Sequence, residues 1–178
     1  MRLLSLLAGA GFVLLAGCVP APTTPPPAPA PRPVPAPVPV APRPAPALGT
    51  DWRDWPLTRG DWRYRAAPGG GTATYGTTGG APLATLRCDL GARRVTLSRT
   101  GSAAATLTLR TTSAVRAIPA TPDPGAPGML AMTFAANDNF LDALGFSRGR
   151  FVIEGAGLPV LVIPAWPEIL RVVEDCRK

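Results

Sequence analysis

The sequence predicts a mainly β protein. We expect an antiparallel, sandwich-like domain with a short helix and a C-terminal helix, preceded by a signal peptide and a disordered Pro-rich linker. Three observations predict this arrangement. Apolar and polar residues alternate in several short segments after Gly49, separated by glycines and prolines. Fourteen prolines lie among the 27 residues from Pro20 to Pro46, and a short apolar run precedes them. The chain therefore divides into 1–17, 18–48 and 49–178.

Residues 1–17 have the pattern of a secretory signal peptide. A single positive charge at Arg2 precedes an almost wholly apolar run from Leu3 to Leu15. This run is shorter than the roughly 20 apolar residues that a membrane-spanning helix needs. We therefore expect it to direct export rather than to span a membrane.

The four residues Leu15-Ala16-Gly17-Cys18 closely resemble the lipobox of bacterial lipoproteins. The resemblance implies cleavage before Cys18, a diacylglyceryl thioether on its sulfur and a fatty acid such as palmitate on the new N-terminus. Several acyl chains anchor a protein stably, because each buried CH₂ contributes about 0.8 kcal/mol. By the same resemblance, Val19 in place of Asp favours an outer-membrane location that faces the periplasm. The inner membrane and the cell surface are the alternative locations. The alternative is an ordinary secretory signal with an incidental cysteine.

Residues 18–48 form the lipidated cysteine and a Pro/Ala-rich linker. Proline fixes φ and removes the amide donor, so the segment from Pro20 to Pro46 favours neither helix nor sheet. As polyproline II it would reach roughly 80 Å, at about 3.1 Å per residue. We interpret it as a stalk; a Pro-rich ligand around Pro29 to Pro33 is the alternative.

The part from Gly49 onward holds 15 Lys and Arg and all 11 Asp and Glu. We discount nucleic acid as a partner despite the basic surplus, because an exported domain does not normally meet DNA.

If Cys18 is acylated, Cys88 and Cys176 remain, and an oxidising compartment favours a disulfide between them. Closing so long a loop would stabilise the fold by about 4 kcal/mol. Two free thiols are the alternative.

Five segments place apolar side chains on one face of a predicted strand. Their inward residues are Trp62 with Tyr64, Leu86 with Cys88, Val95 with Leu97, Leu107 with Leu109, and Leu130 with Met132 and Phe134. Residues 150–165 add two strands around a Gly-bearing turn. The stretch Gly69–Gly76 is predicted to be a glycine-rich turn, and Pro119–Gly128 to be a loop.

Two helices are predicted near the C-terminus. In the first, the Asn and Asp residues at 137–139 are capping candidates, Gly145 is a terminator, and one side carries Phe140, Leu141 and Leu144. In the second, Pro167 suits the first helical position and Glu168 the positive end. Its inward residues, spaced i, i+3, i+4 and i+7, are Ile169, Val172, Val173 and Cys176. Cys176 is thereby expected to face the core beside Cys88.

The apparent catalytic patterns favour no enzyme. The sequence GFSRG around Ser147 matches a nucleophile motif, but a helix precedes it, a strand follows it, and the chain has no histidine. A carboxylate pair can act on sugars, yet Asp138, Asp142 and Glu154 suit a helix start and a strand surface equally well. With no histidine and both remaining cysteines paired, we expect no metal site and no cofactor.

The segment from Asp51 to Arg65 concentrates three of the four tryptophans and four arginines. Exposed aromatics beside arginine stack on sugar rings or clamp anionic groups. We therefore name Trp52, Arg53, Trp55 and Arg59 as a possible binding surface. The alternative, which we favour, is that Trp52 and Trp55 plug the end of the sheet while Trp62 belongs to the core.

The sequences DNFLDALGFSRGRFVIEG and LPVLVIPAWPEILRVVEDCR resemble a C-terminal domain in lipoproteins of sphingomonad-type Alphaproteobacteria that carry no assigned activity. The layout also resembles, weakly, periplasmic modules of the invasion-associated locus B family. These resemblances imply a β-sandwich-like fold and a non-enzymatic envelope role. We expect a lipid-anchored binding or assembly module that contacts the membrane through its acyl chains and has peptidoglycan or another envelope protein as partner. The alternative is an inhibitor of a periplasmic hydrolase such as lysozyme or a protease.

Overall fold

The computed structural model describes residues 48–178. The signal peptide, Cys18 and nearly all of the Pro-rich linker lie outside these residues. The described part contains nine strands, a 3₁₀ turn at Trp52–Asp54 and two helices. The strands are β1 (Asp61–Arg65), β2 (Thr72–Gly76), β3 (Ala84–Asp89), β4 (Arg94–Thr100), β5 (Ala105–Arg110), β6 (Val115–Pro122), β7 (Met129–Ala135), β8 (Phe151–Gly155) and β9 (Leu161–Ile163). The helices are α1 (Asn139–Gly145) and α2 (Pro167–Arg177). The predicted mainly β, antiparallel fold with a short and a C-terminal helix is confirmed.

All nine strands belong to one curled sheet in the order β1-β2-β3-β4-β7-β6-β5-β8-β9. Strand β6 links its two halves, because it pairs with β5 from Val115 to Ala120 and with β7 at Thr121 and Pro122. The remaining neighbours are antiparallel as well. The alternating sequence pattern thus produces one sheet whose apolar side faces inward.

The core lies inside this curl. The inward residues predicted for the five strands are buried, except that Tyr64 is only half-buried. Helix α2 packs against β1 to β4 and α1, and its four inward residues are at most 1% exposed. Cys88 on β3 and Cys176 on α2 form the predicted disulfide, with their Cα atoms 5.4 Å apart. The C-terminal helix is therefore covalently fixed to the sheet.

The segment before β1 joins the two ends of the sheet. The Thr58 amide donates to the Val162 carbonyl (2.9 Å), and the Val162 amide donates to Thr58 Oγ1 (3.0 Å). The Trp62 indole donates to the Pro164 carbonyl (2.8 Å), which confirms Trp62 as a core residue. Because these bonds occupy the outer edge of β9, that edge offers little for another strand to pair with.

Two predicted irregular segments are partly strands. Residues 72–76 of the predicted glycine-rich turn form β2, where Ala73 and Tyr75 face the core and only Gly69–Gly71 serve as the turn. Residues 119–122 of the predicted loop complete β6. Proline is tolerated there because β6 changes partners at this point, so fewer amide donors are required. The true loop runs from 123 to 128.

Strand β4 departs from simple alternation at its end. Ser98 faces outward but is only 2% exposed, because its hydroxyl donates to Asp123 Oδ2 (2.5 Å) in the loop that covers it. Arg99 faces inward and is fully buried. Its guanidinium donates to the carbonyls of Thr100 (3.0 Å), Ile153 (3.4 Å) and Pro159 (2.9 Å). Burial lowers the pKa of Arg99 from its ordinary value. This arginine ties β4 to the turn between β8 and β9.

Candidate functional site

The four residues of the predicted binding surface differ in their exposure and contacts. Trp52 and Trp55 are half-buried, and the Trp55 indole donates to the Gly49 carbonyl (2.6 Å). Arg53 is exposed, with its guanidinium carbon 5.1 Å from the centre of the Trp52 ring. Arg59 is exposed. Of the four, Arg53 lines an open cleft, and the other three residues are not part of its lining.

That cleft is open, has a volume of about 530 Å³, and lies where three turns meet. We call it the arginine cleft. Its lining residues are Arg53 from the 3₁₀ turn, Thr112 and Ser113 from the β5–β6 turn, and Phe146 and Arg148 from the α1–β8 turn. Phe146 is 71% exposed, so its aromatic ring is accessible from the cleft. The lining offers two guanidinium groups, two hydroxyl groups and one aromatic ring.

Ser147 and Thr112 hold two walls of the arginine cleft together. The Thr112 amide donates to Ser147 Oγ (3.1 Å), which donates in turn to the Arg150 carbonyl (2.5 Å). The Arg148 amide donates back to Thr112 Oγ1 (3.2 Å). Thr111 Oγ1 also accepts from the Ala114 amide (2.9 Å) and fixes the β5–β6 turn. The two turns therefore form a rigid frame.

The third wall is attached through Arg150, whose guanidinium donates to the Trp55 carbonyl. Arg53 in this wall forms an exposed ion pair with Asp51 (3.4 Å), and its amide donates to Asp51 Oδ1 (2.9 Å). The backbone hydrogen bond from Arg53, more than its charge, lowers the pKa of Asp51. Such an exposed ion pair is weak, so Arg53 can exchange Asp51 for another anion at little cost.

The electrostatics of the arginine cleft favour an anionic ligand. Arg148 forms no ion pair within residues 48–178, and the lining includes no carboxylate. Guanidinium groups bind carboxylate and phosphate oxygens in a planar, bidentate manner. The exposed Phe146 ring adds a flat apolar surface for a sugar or another ring. The cleft can thus recognise a compact anion attached to a flat ring.

The apparent catalytic residues have structural roles. Ser147 is 4% exposed, and its hydroxyl is engaged by Thr112 and Arg150 as described above. The three carboxylates considered earlier do not form a pair, because each contacts its own arginine. These ion pairs are Asp138–Arg116 (2.7 Å), Asp142–Arg177 (2.7 Å) and Glu154–Arg110 (3.2 Å). Within residues 48–178, no group of three or more His, Cys, Asp or Glu is arranged to hold a metal ion.

Sequence reasoning missed four of the five residues that line the arginine cleft. Phe146 and Arg148 flank the very serine that was considered as a nucleophile, and Thr112 and Ser113 lie in a turn more than 30 residues earlier. A signal did exist, because a large aromatic residue between a helix terminator and a serine-arginine turn has no core position to occupy. The sequence does not show that this turn contacts the β5–β6 turn, because the contact depends on the register of β8 against β5.

Comparisons of the chain with protein-family models, with curated proteins and with solved structures give no match. Between residues 48 and 178, neither helix has the length and apolar character needed to cross a membrane.

Proposed function

We propose that this protein is a lipid-anchored, non-enzymatic binding module of the cell envelope, and that its arginine cleft binds an anionic group of an envelope polymer. The observation that carries the proposal is the convergence of Arg53 and Arg148 with the exposed Phe146 ring in one cleft whose lining has no carboxylate. The lipobox resemblance at Cys18 and the proline-rich stretch after it support the envelope location.

Peptidoglycan has the chemistry that this cleft fits. It presents both free carboxylates, on its peptides, and sugar rings, which suit the two guanidinium groups and the Phe146 ring respectively. Each exposed charge contact contributes only about 0–1 kcal/mol, so a single cleft would bind weakly. Many copies tethered to one membrane compensate, because tethering raises the effective concentration. We therefore expect binding that depends on avidity.

A co-sedimentation assay with isolated sacculi tests the arginine cleft. We expect the chain beginning at Val19 to pellet with sacculi at low salt, and Arg53→Ser/Arg148→Ser to stay in the supernatant. Phe146→Ala should reduce pelleting without changing the charge. The matched control is Arg59→Ser/Arg171→Ser, which removes two exposed positive charges outside the cleft. If the control loses pelleting as fully as the cleft variant, net charge rather than the cleft is responsible, and the proposal fails.

The anchor is tested separately at Cys18. We expect the full-length protein to incorporate a palmitate analogue and to fractionate with the outer membrane, and Cys18→Ser to do neither. Labelling of Cys18→Ser to the wild-type level would contradict acylation at this residue. The assay is independent of the cleft, so each half of the proposal can fail alone.

Inhibition of a periplasmic hydrolase is the second candidate function, and the loop from 123 to 128 favours it. Pro124, Gly125, Pro127 and Gly128 are exposed, while Asp123 fixes the base of the loop by accepting from Ser98 and from the Gly125 amide (2.9 Å). A rigid, exposed loop loses little entropy when it enters an enzyme cleft. This candidate is favoured if the protein inhibits lysozyme or a periplasmic protease and Pro124→Gly/Pro127→Gly abolishes that inhibition. It is rejected if a high molar excess of the protein over the enzyme gives no inhibition.

A further inference from the structure

The outer face of the first sheet half carries a continuous row of arginine and threonine side chains. The strand register places five residues opposite one another across β1, β2, β3, β4 and β7: Arg65, Thr72, Arg87, Thr96 and Thr133. Paired residues of antiparallel strands point to the same side of a sheet, so these side chains share the face opposite the core. With strands about 4.8 Å apart, the row extends roughly 19 Å across the sheet.

A second, parallel row adds to this face, which we call the Arg/Thr face. It begins with Arg63, Thr74 and Thr85 and ends at Ser98, where the loop from 123 to 128 covers the sheet. The loop also approaches Arg87, because a Cβ added at Gly125 would lie 3.1 Å from Arg87 Nη1. The Arg/Thr face is therefore bordered by this loop on one side and is open toward β1.

The charges on the Arg/Thr face are distributed unevenly. Arg63, Arg65 and Arg87 are exposed, and none of them forms an ion pair within the part of the chain that the structure describes. Arg63 donates only to the Thr78 hydroxyl (2.6 Å). The acidic residues of this face, Asp61 and Asp89, lie at the strand ends, and Asp89 is opposite Arg94 in the register. Asp123 of the covering loop accepts from Ser98 at the border of the second row. The first row, from Arg65 to Thr133, presents guanidinium and hydroxyl groups only.

The two rows of this face contain no aromatic or Met side chain. The hot spots of stable protein interfaces are enriched in Trp, Tyr and Arg, and of these the rows offer only arginine. Both rows consist of arginine, threonine and serine as far as β4, with Ala131 and Thr133 on β7. A hydrated ligand with a regular series of negative charges and hydroxyl groups matches such a surface. An acidic polysaccharide has both features along its whole length.

We propose that the Arg/Thr face binds an extended acidic polysaccharide, laid across β1, β2 and β3 so that Arg65 and Arg87 contact successive anionic groups. These two arginines are two strands apart, which is about 10 Å. The threonine hydroxyls between and beyond them donate to and accept from sugar hydroxyls. This site shares no residue with the arginine cleft and does not depend on the function proposed for that cleft.

The test measures binding of the chain beginning at Val19 to immobilised polygalacturonate by biolayer interferometry at increasing NaCl. We expect Arg65→Ser/Arg87→Ser to weaken binding roughly tenfold, since each exposed charge contact contributes up to about a factor of five. The slope of log K against log salt should fall by about one to two, because fewer counterions are released. The matched control Arg59→Ser/Arg171→Ser loses the same charge at exposed positions outside both sites.

Several outcomes decide the matter. Binding to polygalacturonate and to dextran sulfate, with no binding to neutral dextran, supports recognition of an anionic sugar polymer. Tighter binding to polygalacturonate identifies carboxylate as the favoured group, and tighter binding to dextran sulfate identifies sulfate. Loss of affinity in the control equal to that in Arg65→Ser/Arg87→Ser overturns the proposal, as does equal or tighter binding to duplex DNA. If Arg53→Ser/Arg148→Ser abolishes polygalacturonate binding instead, the arginine cleft is the polyanion site. In that case the proposal made here fails while the proposed function stands.

Discussion

Removal of the Cys88–Cys176 disulfide should lower the stability of the domain strongly. The bridge joins residues 88 positions apart. For a loop of this length, the chain-entropy model gives a stabilisation of about 4.5 kcal/mol. Single domains are stable by only about 5–15 kcal/mol, so this contribution is a large share of the total. For the roughly 130 residues of the domain, each kcal/mol corresponds to about 4 °C in Tm, and the expected loss is about 18 °C.

The variant for this experiment is Cys88→Ala/Cys176→Ala in a chain beginning at Val19, which has no other cysteine. Alanine avoids a new buried hydroxyl, because both sulfurs lie in the core, where Cys88 is 3% and Cys176 0% exposed. Thermal unfolding followed by circular dichroism gives Tm for the variant, the wild type and the wild type with reductant. Non-reducing peptide mapping of the wild type should show the fragments of Cys88 and Cys176 linked.

Two results would refute this reasoning. If both thiols of the folded wild type are alkylated without prior reduction, the bridge does not form in the protein. If the bridge forms but the variant melts within about 3 °C of the wild type, the bridge contributes less than about 1 kcal/mol. Packing of α2 by Ile169, Val172 and Val173 would then hold the helix without covalent help.

Two further predictions concern buried and partly buried charges. Arg99→Met keeps most of the side-chain volume but removes the guanidinium that donates to three carbonyl groups. We therefore expect the free energy of unfolding, measured in urea, to fall by about 2–4 kcal/mol. A variant as stable as the wild type would mean that burying the guanidinium costs as much as its hydrogen bonds contribute. Asp138 caps α1 by accepting from the Phe140 amide (2.8 Å), and the hydrogen bond from Arg116 lowers the pKa of Asp138 from its ordinary value of 3.8. Because the folded-state pKa is the lower one, this stabilisation is present above about pH 4 and is lost as the pH falls through the folded-state value. Asp138→Ala should cost about 1–2 kcal/mol at pH 7, and this cost should shrink as the pH falls below about 4. A cost that stays constant as the protein is acidified would contradict this linkage.

The sequence predicted most of the strands but not their order in the sheet. Alternation located β1, β3, β4, β5 and β7, because one buried and one exposed face require it. Strand β2 was missed because only Tyr75 of its inward residues is large, Ala73 is small, and glycines surround the strand, so apolar and polar positions alternate weakly. Strand β6 was not predicted at all, and its end was taken as a loop because Pro119 and Pro122 normally exclude a strand. Only the change of partners along β6 makes them acceptable.

The residues of the arginine cleft were likewise only partly predictable from the sequence. Arg53 was predicted from its place in a segment rich in tryptophan and arginine, but Arg59 in that segment lies outside the cleft. Trp52 and Trp55 are half-buried, and Trp55 is bound to Gly49. Local concentration of a residue type therefore identified the segment but not the surface. Which side chains share a cleft depends on turns from distant parts of the chain.

The sequence by itself determined the features that depend on residues near one another in the chain. Among these are the periodic strands, an Asn or Asp cap before α1, the proline start of α2 and the inward position of Cys176. The tertiary structure alone decided which distant residues meet. It brought Arg148 to Arg53 across 95 positions, placed Arg65 two strands from Arg87, and buried Arg99 among carbonyl groups. The physical reason is that local conformation follows from short-range sterics and hydrophobic periodicity, whereas strand order and register follow from the packing of the whole core.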